Sequence, residues 1–171
     1  MISIRRLGPA EARENIGALA DVLVDCVAGG ASVSFMWPFP KAEAETFFSK
    51  VANGVAAGER ILLAAFDGAA LVGTVQIVTA LPPNQPHRAE VAKLLVHRAA
   101  RRQGVAAMLM RQAEVEAKGA GRSLLVLDTV TGGEAERLYQ RLDWIKVGII
   151  PNFALFPDGR WCDTTIFFKA V

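Results

Sequence analysis

The sequence predicts a single α/β (α+β) domain in which helices cover the faces of a mixed β-sheet. Apolar runs and stretches of helical periodicity alternate along the chain in the order β-α-α-β-β-β-α-β-α-β-β. The 171 residues are the size of one domain, and a hydrophobic fraction of 52% suffices for one sizeable core. No repeat, low-complexity tract or linker divides the chain, so we expect one domain over residues 1–171.

The first half of the chain predicts three strands and two helices. Apolar residues between Ile16 and Val27 recur at helical spacing, and Pro9 suits the first turn of that helix. The pair Asp67-Gly68 is typical of a hairpin turn between two apolar strands. The predicted elements are strand 2–4, helix 9–28, helix 41–57, strand 61–66 and strand 71–78.

The second half predicts four strands and two helices. Residues 124–127 form a continuous apolar run, as expected for a strand buried on both faces. The turn Pro157-Asp158-Gly159 joins the last two strands. The predicted elements are strand 90–96, helix 104–117, strand 124–127, helix 134–142, strand 144–150 and strand 164–168.

The loop over residues 31–40 is unusually rich in large apolar side chains for a connection between two helices. It either packs onto the core or forms the wall of a binding site, and the sequence leaves both readings open. The second reading makes four residues candidates for substrate binding: Ser32, Val33, Phe35 and Trp37.

Composition excludes several function classes. Nineteen Lys plus Arg against 17 Asp plus Glu give a net charge of +2, which argues against a dedicated nucleic-acid binder. Neither a signal peptide nor an apolar stretch of about 18 residues is present, so we expect no membrane contact. Cys26 and Cys162 match no metal or disulfide pattern, and we expect a cytoplasmic protein without a metal. With His87 and His97 as the only histidines, a His-based triad is poorly supported.

The most informative segment is residues 96–106, where a strand leads through a basic turn into a helix that begins near Gly104. The amino end of a helix presents unpaired N–H groups and a partial positive charge. Gly104 lets the backbone approach a ligand closely, and three arginines, at 98, 101 and 102, add positive charge. The segment therefore predicts a pyrophosphate site, although it is neither a Walker A loop nor a dinucleotide fingerprint.

Two motifs resemble those of the GNAT superfamily of N-acetyltransferases. Leu94-Leu95-Val96 followed by Arg101-Arg102-Gln103-Gly104-Val105-Ala106 is similar to the acetyl-CoA-binding motif of that family, and Ala135-Glu136-Arg137-Leu138-Tyr139 to its Ala-x-x-Leu-Tyr helix. The element order is similar over the whole chain. The resemblance implies a mostly antiparallel sheet of about seven strands with about four helices, and acetyl-CoA as the cosubstrate without a metal.

The resemblance also implies roles for the cofactor-binding residues. The backbone of Leu94, Leu95 and Val96 is expected to pair with the pantetheine arm and to polarise the thioester carbonyl. The side chains of this strand are expected to pack in the core. The turn from Arg101 to Ala106 is expected to bind the pyrophosphate, through the backbone amides of Arg102, Gln103, Gly104, Val105 and Ala106.

Acetyl transfer further needs a base for the amine and an acid for the leaving thiolate. Tyr139, the only tyrosine, is the candidate acid, because a phenol with a pKa near 10 is protonated at neutral pH. Glu90 and Asp128 are the candidate bases, acting directly or through water. The plainer readings are a core aromatic for Tyr139, an ion pair with Arg88 or Lys93 for Glu90, and a loop cap for Asp128.

A narrower resemblance connects the chain to the tabtoxin-resistance branch, whose members acetylate an amine of a β-lactam toxin product. It implies a small primary amine as acceptor, amino-acid-like or a β-lactam antimetabolite, and a role in antibiotic resistance. Two alternatives stay open, a protein or peptide N-acetyltransferase and a CoA sensor without turnover, and so does a homodimer. The segments that carry this resemblance are residues 29–33, 88–91, 127–129 and 157–160.

Overall fold

The computed structural model describes all 171 residues and contains seven strands and five α-helices. The strands are β1 (Ile2–Arg6), β2 (Arg60–Asp67), β3 (Ala70–Val78), β4 (Arg88–Val96), β5 (Leu124–Val130), β6 (Ile145–Leu155) and β7 (Trp161–Ala170). The helices are α1 (Pro9–Glu14), α2 (Ile16–Ala28), α3 (Lys41–Ala56), α4 (Val105–Gly119) and α5 (Glu134–Arg141). A 3₁₀ turn, Arg98–Ala100, lies between β4 and α4.

All seven strands form one sheet in the order β1-β2-β3-β4-β5-β7-β6. Every neighbouring pair is antiparallel except β4 and β5, which are parallel. The predicted fold class, a mixed and mostly antiparallel sheet of seven strands flanked by helices, is confirmed.

The predicted helix over residues 9–28 is two helices, which raises the number of helices from four to five. The break is Asn15, whose backbone leaves the helical region at φ −98° and ψ 8°. Its side-chain amide donates a hydrogen bond to the carbonyl oxygen of Glu11 at 2.8 Å. Asparagine competes with the helix for backbone hydrogen bonds in this way, so periodicity alone did not reveal the break.

The last two strands are longer than predicted. β6 continues past Pro151 to Leu155, and β7 begins at Trp161. β6 lies at the edge of the sheet, where a proline costs no ladder hydrogen bond, and the pairing with β7 is irregular between Ile150 and Ala154. The sequence-based prediction ended this strand at residue 150 because Pro151 follows, and the structure shows that β6 continues to Leu155.

The helices divide the core between the two faces of the sheet. One buried cluster joins the sheet to α4 and α5 and includes Val91, Leu109, Leu127 and Tyr139. The other joins it to α1, α2 and α3 and includes Leu95. None of the helices combines the length and the apolar character that crossing a bilayer requires.

The parallel pair β4 and β5 separates after three rungs. Arg88, Ala89 and Glu90 pair with Leu124, Leu125 and Val126, and beyond Glu90 the two strands no longer pair. This separation opens the middle of the sheet, so that a ligand can reach strand backbone from either face.

Candidate active site

A cleft of about 1200 Å³ passes through the opening between β4 and β5. On the α4 and α5 face it is lined by arginines and by the amino end of α4; we call this the arginine side. On the α2 and α3 face it is lined by residues 32–36 of the α2–α3 loop together with Lys93; we call this the loop side. The predicted site residues can be located relative to these two sides.

The arginine side begins at Gly104, which precedes α4 with a left-handed φ of +78°. Val105 starts the helix, so its N–H and those of the next residues have no partner within the helix, and Val105, Ala106 and Ala107 line the cleft. The preceding turn is held by Asp25, which accepts hydrogen bonds of 2.8 Å from the backbone and from the guanidinium of Arg98. Burial raises the pKa of Asp25, but these bonds and the charges of His97 and Arg98 outweigh it and lower the pKa overall.

Five arginines line the cleft, whereas the sequence had drawn attention to only two of them. Arg101 and Arg102 belong to the predicted pyrophosphate segment; outside that segment lie Arg111, Arg137 and Arg141. The last two lie four residues apart on α5, which places them on the same face of that helix. That spacing was available in the sequence, but nothing there showed that α5 faces the amino end of α4.

The structure brings most of the predicted cofactor-binding residues together. The cleft-lining members are Leu94, Leu95, Val96, Arg101, Arg102, Gly104, Val105 and Ala106. The side chain of Leu95 lies in the core on the α1, α2 and α3 face, and those of Leu94 and Val96 pack against the core on the α4 and α5 face, so all three pack in the core as predicted. Gln103 is the exception, because it does not line the cleft and its amide donates to the Ala99 carbonyl oxygen at 3.3 Å.

Tyr139 lies on α5 with its side chain buried, 5% exposed, and it lines the cleft. Its ring packs beside Trp144 and Phe167, with centroids 5.9 Å away in both cases. Burial, and then the negative charge of Asp128, raise the pKa of Tyr139 well above its usual range. The side chain is therefore both a core aromatic and a protonated hydroxyl at the cleft, so the two readings of the sequence are compatible.

The carboxylate of Glu136 fixes the start of α5 and hence the position of Tyr139. It accepts hydrogen bonds from the Gly132 backbone N–H and from Thr165 Oγ1, the latter at 3.3 Å, and pairs with Lys146 at 3.5 Å. The bond from Gly132 lowers the pKa of this carboxyl. Glu136 was not singled out from the sequence, because a single acidic residue in a helix is expected to be solvent-exposed unless its hydrogen-bond partners are known.

Asp128 lies on β5 where that strand has left β4. Its neighbour Leu127 points into the α4–α5 core, so alternation along the strand turns Asp128 toward the loop side. Oδ2 of Asp128 accepts a hydrogen bond of 2.8 Å from Thr164 Oγ1. Asp128 is close enough to influence the pKa of both Tyr139 and Lys93, so it lies near the meeting point of the two sides.

Glu90, the other predicted base, does not line the cleft. It lies where β4 and β5 are still paired, and its carboxylate is 3.0 Å from the guanidinium of Arg88. Half of the side chain is exposed. The structure therefore matches the ion-pair reading of Glu90 and separates it from Asp128 and Tyr139.

Of the four predicted substrate-binding residues in the α2–α3 loop, three line the cleft and one does not. Ser32, Val33 and Phe35 line the cleft, and the Ser32 hydroxyl donates to the Leu155 carbonyl oxygen at 2.7 Å. Trp37 does not line the cleft; it is 54% exposed, and its backbone N–H bonds to Pro157. The apolar loop both packs onto the core, through Phe39, and forms a cleft wall.

Comparison with known proteins identifies the family to which this chain belongs. The model of the acetyltransferase (GNAT) family matches residues 27–144, more than half of the chain. That span contains the whole arginine side, Asp128 and Tyr139. The family that the sequence motifs indicated is therefore confirmed, whereas the narrower tabtoxin-resistance branch stays a prediction.

Solved structures share the fold over the full length of the chain. An N-acetyltransferase from Staphylococcus aureus Mu50 superposes with a TM-score of 0.82 at 20% identity, over 99% of this chain and 98% of that one. A ribosomal-protein-alanine N-acetyltransferase from Brucella melitensis gives 0.80 at 20%, over 99% of both chains. The Salmonella typhimurium protein yncA, solved with its cofactor acetyl-CoA, gives 0.79 at 17%, over 99% and 93%.

Proposed function

Because this chain belongs to the acetyltransferase (GNAT) family, we propose that it transfers the acetyl group of acetyl-CoA to a primary amine of a small molecule. One observation carries the proposal. A single cleft joins a cation-rich helix start on one face of the sheet to a carboxylate and a loop on the other, with a buried phenol beside the opening.

In this proposal the arginine side binds acetyl-CoA. The amino end of α4 and Arg102 hold the pyrophosphate, because both the N–H groups and the guanidinium favour an anion there. The β4 backbone from Leu94 to Val96 has no strand partner on the β5 side, so it can pair with the amides of the pantetheine arm. An N–H of the same strand polarises the thioester carbonyl.

The two sides supply opposite halves of the proton chemistry. Asp128, on the loop side, takes the proton from the acceptor ammonium, directly or through water, and the amine then attacks the carbonyl. Tyr139, on the arginine side, gives its proton to the sulfur as the carbon–sulfur bond breaks. The acetyl group forms an amide with the acceptor, and CoA leaves as the thiol.

The base and the acid are coupled through charge. Burial is the larger reason for the raised pKa of Tyr139, and the negative charge of Asp128 adds to it. Once Asp128 has accepted the proton of the amine, that charge is gone, and the pKa of Tyr139 falls. The phenol thus becomes a stronger acid at the stage when the thiolate needs a proton.

The wall that the α2–α3 loop forms on the loop side favours a small acceptor over a protein segment. Residues 32–36 border the cleft, and Ser32 ties this loop to the end of β6. The four segments that resemble the tabtoxin-resistance branch make amino-acid-like antimetabolites one acceptor class to test. We expect the reaction in the cytoplasm, where the two free cysteines would stay reduced.

The test is release of CoA thiol from acetyl-CoA in the presence of an amine panel. The panel contains amino acids, polyamines, aminoglycosides, tabtoxinine-β-lactam and a peptide with a free N-terminus. Turnover with a small amine supports the proposal, and turnover with the peptide alone moves the function to protein acetylation. Acetyl-CoA binding without turnover on any amine points to a sensor.

We further propose that the protein forms a homodimer through β6. β6 pairs only with β7, so its other edge is free. Its exposed apolar residues occur on both faces of the strand, and Lys146 is its only charge. A free edge whose one charged residue already pairs with Glu136 leaves room for strand pairing, and β6 can pair with a second copy of itself about a twofold axis. The exposed apolar residues are Ile145, Val147, Ile149, Ile150 and Phe153.

Light scattering after size exclusion tests the dimer. Val147 is 63% exposed, and Val147→Glu should convert a dimer into a monomer by placing like charges across the twofold axis. Val115→Glu is the matched control, since Val115 is 62% exposed on α4, away from β6. A monomeric wild-type protein, or equal effects of the two substitutions, would contradict an interface at β6.

A further inference from the structure

Lys93 is a partly buried cation without a carboxylate partner. It lines the cleft, and its one hydrogen bond is donated by Nζ to Ser34 Oγ at 3.0 Å. An ammonium has three donors, so two remain for a group that enters the cleft. Burial lowers the pKa of Lys93, and the charge of Asp128 raises it only in part. A charge taken from water without a counter-charge is unfavourable, so a bound anion would relieve it.

A β-bulge gives this lysine its direction. Thr74 and Gln76 of β3, two residues apart, pair with Leu95 and Ala92, which are three apart, so β4 carries one extra residue. Lys93 has a left-handed φ of +54°. In a regular strand residue 93 would lie on the same face as Val91, but here Leu94 shares the α4 and α5 face with Val91. Bulges commonly re-aim a side chain beside an active site. Here the bulge moves Lys93 from the core face of β4 to the loop side of the cleft.

Asp128 supplies the complementary charge. It lies within electrostatic reach of Lys93, but the two form no ion pair. An acceptor ammonium at Asp128 would therefore bring its own substituents toward Lys93. The loop side thus presents a carboxylate for the reacting amine and, near it, a lysine for an anionic group on the same molecule.

From this geometry we infer that Lys93 is a specificity residue that binds an anionic group of the acceptor, so that the preferred acceptor is an amine that also carries a carboxylate or a similar acidic group. The inference rests on the proposed acetyl transfer, and it narrows the acceptor class. Arginines on the other face serve the phosphates of acetyl-CoA; Lys93 is separated from them by the strand itself and bonded to the α2–α3 loop.

The test compares matched amines, amino acids and their carboxamides, with wild type, Lys93→Met and Lys93→Arg. Loss of a charged hydrogen-bond partner should raise the Michaelis constant of Lys93→Met for the acids by about 10- to 100-fold. For the carboxamides it should change less than about twofold, as should the constant for acetyl-CoA. Comparison between variants cancels the intrinsic reactivity of each amine. Lys93→Arg keeps the charge and should retain part of the preference for the acids.

Calorimetric binding of the same amines to the protein saturated with CoA separates this inference from the proposed function. One outcome is that no amine is turned over, while the acids bind better than the carboxamides and lose that advantage in Lys93→Met. That outcome contradicts the proposed acetyl transfer and supports the anion site at Lys93. If acids and carboxamides are affected equally by Lys93→Met, with unchanged melting temperature, Lys93 only ties the bulge to Ser34 and the inference is overturned. A wild-type preference for carboxamides overturns it as well.

Discussion

The two sides of the cleft differ in how far apart their residues lie in the sequence. On the arginine side, the backbone proposed to hold acetyl-CoA comes from residues 94–106, which follow one another through a strand, a turn and a helix start. The loop side combines Ser34, Lys93, Asp128 and Thr164, which belong to four separate elements and meet only in the folded sheet. The two sides are joined at the opening between β4 and β5.

This difference corresponds to two functions, cofactor binding on the arginine side and acceptor recognition on the loop side. A short segment can bind a constant ligand, since a helix start and a glycine suffice to hold a pyrophosphate. The loop side can change one residue at a time without altering that segment. We therefore expect substitutions on the arginine side to affect acetyl-CoA and those on the loop side to affect the acceptor, with Tyr139 and Asp128 affecting turnover itself.

The largest effect is expected for Tyr139→Phe, which tests whether the arginine side also contributes to the chemistry. Losing general acid catalysis should lower turnover by about 10²-fold or more, while folding and acetyl-CoA affinity stay nearly intact, because the ring still packs between Trp144 and Phe167. Steady-state kinetics, melting temperature and calorimetry with acetyl-CoA are the measurements. A fully active variant would reduce Tyr139 to a packing residue.

Because its pKa is raised, wild-type Tyr139 should stay protonated throughout the usual assay range. A raised pKa means that the proton is lost only at a pH above the ordinary value near 10. Activity of the wild type should therefore not decline on the alkaline side up to about pH 10 for lack of this proton. An early alkaline decline that is absent in Tyr139→Phe would contradict the raised pKa.

Asp128→Asn and Glu90→Gln form a matched pair on β5 and β4. Removing the base should lower the turnover of Asp128→Asn by about 10- to 100-fold at neutral pH, with recovery as rising pH deprotonates the free amine. Glu90→Gln should stay within about twofold, because Glu90 does not line the cleft and pairs with Arg88 on a half-exposed surface. A pH–rate series settles the pair. The reverse order of effects would return the base to Glu90.

Gly104→Asp tests whether the helix start binds the phosphates. Both Asp and Asn tolerate a left-handed backbone, so Gly104→Asn carries the same strain without the charge. The carboxylate should weaken acetyl-CoA binding by about 1–2 kcal/mol, roughly tenfold, relative to Asn. Calorimetry measures both variants. Equal affinities would show that the pyrophosphate lies elsewhere, and the comparison of the two sides would lose its basis.

The smallest effect is expected for Trp37→Ala. The sequence had grouped Trp37 with the substrate-binding residues, but it lies outside the cleft and is mostly exposed. Its loss should change the Michaelis constant for the acceptor less than about twofold, since it leaves the cleft lining intact. Phe35→Ala is the comparison variant and should raise that constant more, because Phe35 borders the cleft. A larger effect of Trp37→Ala than of Phe35→Ala would show that the acceptor also contacts Trp37, outside the cleft.

The same contrast explains which features the sequence could predict. Residues 101–106, and the strand and helix around them, were predictable because their function depends on local order along the chain. The positions of Glu90 and Asp128 were not, since both are acidic residues in strands; what distinguishes them is the separation of β4 from β5, a property of the sheet. Lys93 was read only as a partner for Glu90, because a one-residue bulge leaves no recognisable pattern in one sequence.

The unpaired edge of β4 has a consequence for the intact protein in the cell. Beyond Glu90, the edge of β4 that faces the opening has no strand partner, and in the proposed function acetyl-CoA pairs with it. A ligand that binds only the folded state stabilises it in proportion to the logarithm of its concentration, by about 2.7 kcal/mol at a hundredfold excess over the dissociation constant. If the protein binds acetyl-CoA as proposed, its resistance to heat and to proteases should therefore rise and fall with the acetyl-CoA concentration.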